Sequence, residues 1–151
     1  MTTALTLADL TARTGLNVLD YLDQSVSIPV IAGPQAQGDL IVIPLTVLGA
    51  EVTTTEWSRS VDVGPTGVEL LRSAAGGNPH TLVADDGICT WTARVNDQRD
   101  LALGILDTCV TAYLIHPEHG ATGIAPGRYV IRRQRELGTG RLFGVVSYVA
   151  D

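Results

Sequence analysis

The chain has 151 residues, of which 45% are hydrophobic and 17% charged, and its formal net charge is -6. These values exclude a disordered chain and a chain that needs a metal or a disulfide to hold a core, and the negative charge disfavours binding to nucleic acid or to anionic membrane surfaces. All ten basic residues are arginine, which excludes chemistry that depends on a lysine amine, such as Schiff-base catalysis or a Walker-type phosphate loop.

Residues 1–28 are predicted to form a short helical arm ahead of the body of the protein. Thr6 and Asp9 have the spacing of a capping box at a helix start, and Gly15 is placed to end the first helical segment. Pro29 prevents a helix from continuing into the body. The pattern therefore predicts two short helical segments, whose leucines recur near helical spacing and form an apolar stripe: Leu5, Leu7, Leu10, Leu16, Leu19 and Leu22.

From Val26 onward the pattern changes to β-strands, and residues 29–151 are predicted to form one domain. The apolar run over residues 40–43 is typical of a strand that is buried on both faces. Turn signals rich in Gly, Pro, Asn and Asp separate the other candidate strands, which are 45–52, 68–72, 80–84, 88–95, 101–106, 109–116, 128–136 and 142–149. About eight or nine short strands of this kind predict an all-β sandwich or barrel with a short helical N-terminal arm.

All three histidines lie in two short, turn-rich segments. His80 lies in the first, and His116 and His119 flank Glu118 in the second. Three imidazoles that converge from a strand end and two turns suit an open site for Zn, Fe or Mn, with Glu118 as a fourth ligand or a base. The alternative is that they are hydrogen-bonded or solvated loop histidines and that the protein has no cofactor. Whether the three rings converge discriminates between the two interpretations.

The candidate strand over 128–136 carries three arginines near its end. A strand places Arg133 and Arg135 on one face and Arg132 on the other, so the three do not form one basic stripe. Arginine suits bidentate pairing with carboxylates, which this acidic chain has in excess. Arg132, Arg133 and Arg135 are therefore predicted to contact a partner protein or to be charges that protect an edge strand. The other predicted contact residues belong to the apolar stripe of the arm: Leu7, Leu10, Leu19 and Leu22.

The sequence contains few features of a catalytic nucleophile. Cys89 and Cys109 lie within candidate strands and form no Cys-x-x-Cys pair, so we expect two buried thiols. There is no Gly-x-Ser-x-Gly motif, and no glycine loop is followed by a helix that would bind phosphate. A non-enzymatic role is therefore favoured over catalysis.

Several short motifs resemble those of a family of small uncharacterised proteins of actinobacteria and their phages. The resemblance spans residues 37–151, omits the arm and implies no established activity. The motifs are Gln37-Gly38-Asp39-Leu40, the segment from Gly77 to His80, His116-Pro117-Glu118-His119-Gly120, Pro126-Gly127-Arg128-Tyr129 and Arg133-Gln134-Arg135-Glu136. The turn histidines and the Pro126-Gly127 turn are also similar to those of cupins, although this chain has His80-Thr81-Leu82 where cupins usually have His-x-His.

Two functions follow from these features. The first is a non-enzymatic structural protein that assembles with itself or with a larger protein lattice, as accessory decoration or minor capsid proteins of phages do. The second is a cupin-like metal-binding protein or enzyme that uses His80, His116 and His119. The sequence has no long apolar run and no secretory pattern at its start, so we expect the protein to be made in the cytoplasm and, under the first function, to enter a virion.

Overall fold

The computed structural model describes residues 5–16, 18, 27–72, 79–136 and 147–148. The helices are α1 (Leu7–Thr14) and α2 (Leu45–Leu48), and a 3-10 turn (Gly49–Glu51) follows α2. None of the helices in these residues is long and apolar enough to cross a membrane. The strands are β1 (Val30–Ile31), β2 (Gln35–Gln37), β3 (Leu40–Pro44), β4 (Val52–Thr53), β5 (Arg59–Asp62), β6 (Val68–Arg72), β7 (Pro79–Ala84), β8 (Cys89–Ala93), β9 (Asn96–Asp97), β10 (Ala102–Thr108), β11 (Ala112–His116), β12 (Gly120–Ile124), β13 (Gly127–Arg133), β14 (Arg135–Glu136) and β15 (Ser147–Tyr148). The predicted all-β fold with a short N-terminal helix is confirmed.

The main strands form two sheets that enclose a common core. The first sheet has five strands in the order β1-β12-β11-β7-β6, and the second has six in the order β2-β3-β13-β10-β8-β5. The largest hydrophobic cluster draws on both: Leu82 and Leu114 come from the first sheet, and Leu106 and Ile131 come from the second. Because each sheet buries one face against the other, the architecture is a β-sandwich.

Helix α1 covers the outer face of the first sheet. Alternation along β7 and β11 directs Val83 and Ile115 away from the sandwich interior. Leu7 and Leu10 of α1 pack against these two side chains, and both leucines are buried. The helix is therefore part of the protein's own core, and an interface role for Leu7 and Leu10 would require α1 to leave the sheet.

The ends of α1 agree with the sequence prediction. The Thr6 N–H donates to Asp9 Oδ2 at 3.0 Å, and the Asp9 N–H donates to Thr6 Oγ1 at 3.1 Å, which completes a capping box. These bonds with Thr6 lower the pKa of Asp9. The helix ends at Gly15, whose φ of 73° lies in the left-handed region that glycine tolerates best. The second helical segment predicted for the arm, with Leu19 and Leu22, lies outside the described residues.

The prediction of a strand over 45–52 is wrong. Pro44 ends β3, and α2 and the 3-10 turn follow it directly. Leu45 and Leu48 lie three residues apart, which is a helical spacing, and both pack with Val130 on the outer face of the second sheet. The apolar run fits either a short strand or a short helix, and the apolar surface of the neighbouring sheet favours the helix here.

Some strands have no apolar pattern of their own, and the sequence prediction omits them. β2 contains two glutamines, β5 is charged at both ends and β12 contains two glycines. Ladder pairing with β3, β8 and β11 holds these segments extended. By contrast, β6 has the predicted bounds Val68–Arg72. Of the strand predicted over 142–149, only residues 147–148 are described.

The two cysteines lie in different environments. Cys89 is buried in the core of the sandwich, whereas Cys109 is exposed, so the prediction of two buried thiols is wrong for Cys109. The reason is a turn at the end of β10, where the Thr108 hydroxyl donates to the Val110 carbonyl at 2.6 Å. Burial raises the pKa of the Cys89 thiol, and a hydrogen bond with Thr108 acts in the opposite direction.

Candidate functional site: a histidine cluster

The three histidines lie together at one end of the sandwich. His80 belongs to β7, and His116 is the last residue of β11. Ile115 pairs with Thr81 across the two strands, so the next position along the ladder brings His116 beside His80. Both rings lie on the faces that point into the sandwich. His119 follows in the turn between β11 and β12.

The ring positions define a compact triangle. The ring centroids of His80 and His116 are 4.5 Å apart, those of His116 and His119 are 4.6 Å apart, and those of His80 and His119 are 6.3 Å apart. His80 and His116 are buried, whereas His119 is exposed and closes the cluster on the solvent side. The three residues that the sequence analysis singled out are thus neighbours in the fold.

His80 is the centre of a buried hydrogen-bond network. Its Nδ1 lies 3.0 Å from Gln37 Oε1, and its Nε2 lies 2.8 Å from Asp39 Oδ1. The Gln37 Nε2 donates to the Leu114 carbonyl at 2.8 Å, which leaves Gln37 Oε1 as the acceptor that faces the ring. Both ring nitrogens of His80 therefore face side-chain oxygen atoms, one of an amide and one of a carboxyl group.

The turn between β2 and β3 carries Asp39 to the ring. Gly38 has a φ of 56°, a left-handed conformation that lets the chain reverse within two residues. The Gln134 N–H donates to the Asp39 carbonyl at 2.8 Å. The Gln134 side-chain Nε2 donates to the carbonyls of Gly38 and Leu40 at 2.8 and 3.1 Å. The buried carboxylate is therefore positioned by bonds to both sides of its own turn.

His116 is positioned by the turn that follows it. The Glu118 N–H donates to His116 Nδ1 at 3.0 Å, so this nitrogen is an acceptor and carries no proton. Glu118 itself is exposed. In a neutral ring the proton then lies on Nε2.

This arrangement constrains metal chemistry at the cluster. A histidine ligates a metal through an unprotonated ring nitrogen, and in His80 both nitrogens already face Gln37 and Asp39. Among the described residues, no group of three or more His, Cys, Asp or Glu side chains is placed to hold a metal ion. Metal binding by His80, His116 and His119 stays a prediction, and it would require His80 to exchange at least one of these hydrogen bonds.

A second buried acid–base pair lies on the outer face of the second sheet. Arg132 donates from Nε to Asp97 Oδ2 at 3.0 Å and from Nη2 to Asp97 Oδ1 at 2.7 Å. The side chains are only 7% and 2% exposed. Burial raises the pKa of Asp97, but hydrogen bonds from Arg132 and from the backbone of Arg99 and Leu101 outweigh it, so the pKa lies below the ordinary value.

The other predicted contact residues have different positions. Arg132, which the sequence analysis placed on the face opposite Arg133 and Arg135, is committed to Asp97 of its own chain. Arg133 is half-buried. The side chain of Arg135 lies outside the described residues. A contact role for Arg133 and Arg135 stays a prediction.

The side chains that support the cluster were not assigned a role from the sequence. Gln37, Asp39 and Gln134 belong to motifs quoted for the family resemblance, but none was assigned a role. One usable signal was available: Asp39 stands directly before an apolar strand, where an acidic side chain is buried only if it has partners. Those partners, His80 and Gln134, are at least 41 residues away along the chain, so no local pattern identifies them.

A family model described as Domain of unknown function (DUF8820) matches residues 36–134. The chain belongs to this family. No curated protein matches the chain, and no solved structure matches it. The DUF8820 match confirms the expectation of an uncharacterised domain family. It contains the whole histidine cluster, from Gln37 to Gln134, and it starts after helix α1.

Proposed function

We propose that the protein is a non-enzymatic structural protein that assembles with copies of itself or with a larger protein lattice. The observation that supports this most is strand β5, an edge of the second sheet in which all four residues are exposed. An exposed edge strand presents backbone groups that pair readily with another chain. Monomeric proteins usually cover or protect such an edge.

The ladder indicates which backbone groups of β5 are available. The Val63 N–H donates to the Cys89 carbonyl at 2.9 Å, directly beyond the pairing of β5 with β8. Bonding directions alternate along an antiparallel pair, so the backbone groups of Ser60 and Asp62 point away from β8. Two copies joined about a two-fold axis would set Ser60 opposite the partner's Asp62, with Val61 on the axis.

Large apolar side chains accompany this edge. Val61 within β5 is 47% exposed. Trp57, two residues before β5 begins, is 66% exposed, and Ile88, directly before β8, is 72% exposed. Exposed aromatic and aliphatic residues of this kind supply the apolar centre of a protein interface, where they lose contact with water. The combination of free backbone groups and apolar side chains favours a protein partner over a small molecule.

Analytical sedimentation of two matched variants tests the proposal. Val61→Lys places a charge in the centre of the edge, and Val47→Lys places the same charge on α2, where Val47 is exposed away from β5. We expect the wild type to self-associate with rising concentration, Val61→Lys to weaken association at least about tenfold, and Val47→Lys to leave it unchanged. A wild type that stays monomeric, or equal effects of both substitutions, would contradict self-assembly through β5.

Helix α1 supports assembly indirectly, by completing the body. Leu10→Ala should lower the free energy of unfolding by about 2–5 kcal/mol, because it leaves a cavity against the first sheet.

A more specific role is a decoration or minor capsid protein of a phage, made in the cytoplasm and incorporated into a virion. This part of the proposal is supported by the resemblance to phage proteins. Head and tail genes beside the coding gene would support that part.

A second candidate function is metal binding at the histidine cluster, with Zn, Fe or Mn. It is favoured by the short distances between the three rings. Titration with Co²⁺ followed by absorbance gives a direct test, with His119→Gln as the variant, because His119 is exposed and its loss leaves the buried network intact. A stoichiometric signal that disappears in the variant would support this function, and the absence of a signal in the wild type would reject it.

A further inference from the structure

Two exposed apolar side chains lie at opposite ends of the edge strand β5. Trp57 lies in the turn before the strand, and Ile88 lies near its other end. The Val63 N–H donates to the Cys89 carbonyl at 2.9 Å. This bond continues the register of β5 with β8, so Ile88 lies beside Gly64. Residues 57 and 64 are roughly 20 Å apart at about 3.3 Å per residue, so the two side chains are too distant to meet within one copy.

Hydrogen bonds fix the turn that presents Trp57. The Trp57 N–H donates to Thr55 Oγ1 at 3.1 Å, and the Thr55 N–H donates to Ser58 Oγ at 2.9 Å. The Ser58 hydroxyl donates to the Arg94 carbonyl at 2.9 Å, which ties the turn to the residue that follows β8. A side chain on a fixed turn has less freedom to lose on binding than one on a loose loop. Trp57 is therefore well placed as an interface anchor, a role in which tryptophan is enriched.

The turn at the other end of β5 is also fixed. The Gly67 N–H and the Ala84 N–H both donate to the Gly64 carbonyl at 3.2 Å. Pro65, the second residue of this turn, has a fixed φ because of its ring. Pro65 is half-buried, and Ile88 is exposed beside Gly64. This end of the edge therefore presents two apolar side chains on a fixed backbone.

The two ends match each other under the two-fold axis through Val61. When two β5 strands pair antiparallel about this axis, a residue before Val61 lies opposite the residue equally far after it in the partner. Trp57 is four positions before Val61, and Pro65 is four positions after it. The axis therefore brings Trp57 of each copy to the turn that carries the partner's Pro65, beside the partner's Ile88. This equal spacing favours a second copy over an unrelated protein as the partner.

We infer that β5 binds a second copy of this chain, and that Trp57 packs against the partner's Pro65 and the partner's Ile88. This inference rests on the proposed assembly through β5, and it specifies the partner and the main contact. The aromatic ring and the two apolar side chains lose contact with water at both ends of the interface. The contact occurs twice in each dimer, because the axis relates the two copies.

A polar pair beside the axis fits the same register. Ser60 Oγ and Thr92 Oγ1 are 2.8 Å apart on the outer face of the second sheet. A serine hydroxyl both accepts and donates, so Ser60 can accept from Thr92 and donate to the partner's Asp62 opposite it. The interface thus has apolar contacts at its ends and hydrogen bonds near Val61.

A double-mutant cycle on the dimer Kd, measured by sedimentation of the full chain, tests the contact. Trp57→Ala should raise the Kd at least about tenfold, and Ile88→Ala should raise it by a smaller factor. Substitutions more than about 10 Å apart normally have additive effects. Trp57 and Ile88 should nevertheless be non-additive, because each meets the other only across the dimer. Val47→Ala, at an exposed site on α2, is the control and should change the Kd less than about twofold.

Tryptophan fluorescence gives a second measurement on the unmodified protein. The chain has two tryptophans, and Trp91 is buried in the core. Emission should therefore shift to shorter wavelength with rising concentration as Trp57 leaves water, and Trp57→Phe should abolish the shift. A dimer that Val61→Lys weakens, but that shows additive effects or no shift, would overturn this contact and leave assembly through β5 intact. A wild type that stays monomeric would overturn both.

Discussion

The two buried acid–base pairs of this protein differ in their basic side chain. Asp97 faces Arg132 on the outer side of the second sheet, and Asp39 faces His80 between the two sheets. A guanidinium donates in parallel to both oxygens of Asp97, whereas an imidazole nitrogen faces one oxygen of Asp39. The same structural task, joining distant segments by a buried acid–base pair, is thus solved once with a guanidinium and once with an imidazole.

The pairs also differ in the hydrogen bonds that hold the acidic residue. Asp97 accepts hydrogen bonds from the backbone of Arg99, Leu101 and Ala102 in addition to the two from Arg132. It therefore organises the loop that leads into β10. Asp39 is held mainly through its own backbone by Gln134, and its carboxylate is directed at His80. We expect the first pair to contribute more to stability than the second.

The largest expected effect is the loss of the arginine of the first pair. Arg132→Met keeps much of the apolar stem and removes the guanidinium, which leaves the Asp97 carboxylate buried without a cation. Breaking a buried pair in this way should lower the free energy of unfolding by about 3–5 kcal/mol, measured by urea denaturation.

Arg128→Met is the matched control. Arg128 lies 3.4 Å from Asp107, and both side chains are more than half exposed. This exposed pair should contribute less than about 1 kcal/mol. If both substitutions had similar effects, burial would not be what distinguishes the Asp97–Arg132 pair.

A smaller loss is expected for the second pair. His80→Gln preserves a polar side chain and removes the ring nitrogen that pairs with Asp39, which should lower the free energy of unfolding by about 2–3 kcal/mol. Adding Asp39→Asn should recover part of the loss, since the double variant pairs two amide side chains in place of the imidazole and the carboxyl group. His119→Gln, at an exposed position of the same cluster, should change stability by less than about 0.5 kcal/mol. Full additivity of the two buried substitutions would show that the pair is not coupled.

Lowering the pH should reveal how much Asp97 contributes to the free energy of unfolding. Its pKa is lowered by folding, so it stabilises the native state above its ordinary value of 3.8, and this contribution is lost as the pH falls through the lower folded value. The free energy of unfolding, measured between about pH 2 and 5, should therefore fall less steeply with acid in Asp97→Asn than in the wild type. Identical slopes would show that other carboxyl groups control the acid response.

The last prediction needs no substitution and concerns the hydrogen bonds of the imidazole rings, measured by NMR on the unmodified protein. Nitrogen-15 NMR of the imidazole rings should show both ring nitrogens of His80 in hydrogen bonds, because each faces a side-chain oxygen. His116 should show an unprotonated Nδ1, which accepts from the Glu118 N–H. A ring nitrogen of His80 without a hydrogen bond would contradict this pattern and would favour the metal-binding hypothesis.

Local patterns in the sequence predicted the elements that their own residues define. Helix α1 was predictable from Thr6, Asp9 and Gly15, because a helix start and stop are written within a few residues. The bounds of β6 followed from a short apolar run. The nature of residues 45–52 was not predictable, because the choice between strand and helix depends on the sheet surface beneath Leu45 and Leu48.

The candidate site was predictable only in part. The three histidines were found from composition and clustering, but their meeting depends on the register of β7 against β11. Asp39 and Asp97 were not identified as buried, because an acidic residue beside a turn normally lies in water. Their basic partners, His80 and Arg132, lie at least 35 residues away along the chain, and no pattern within one segment reveals them.

Gln134 links the outer side of the second sheet to the turn that holds Asp39. This residue lies beside Arg132 on the outer side of the second sheet, and it also holds the turn of Asp39 through its main-chain N–H and its side-chain amide. A change that displaces Gln134 by even a few tenths of an ångström would therefore change the surroundings of the Asp39 amide as well. Isotope labels at Asp39 and His80 should register a substitution of Gln134, and the same labels should stay silent when partners join at β5.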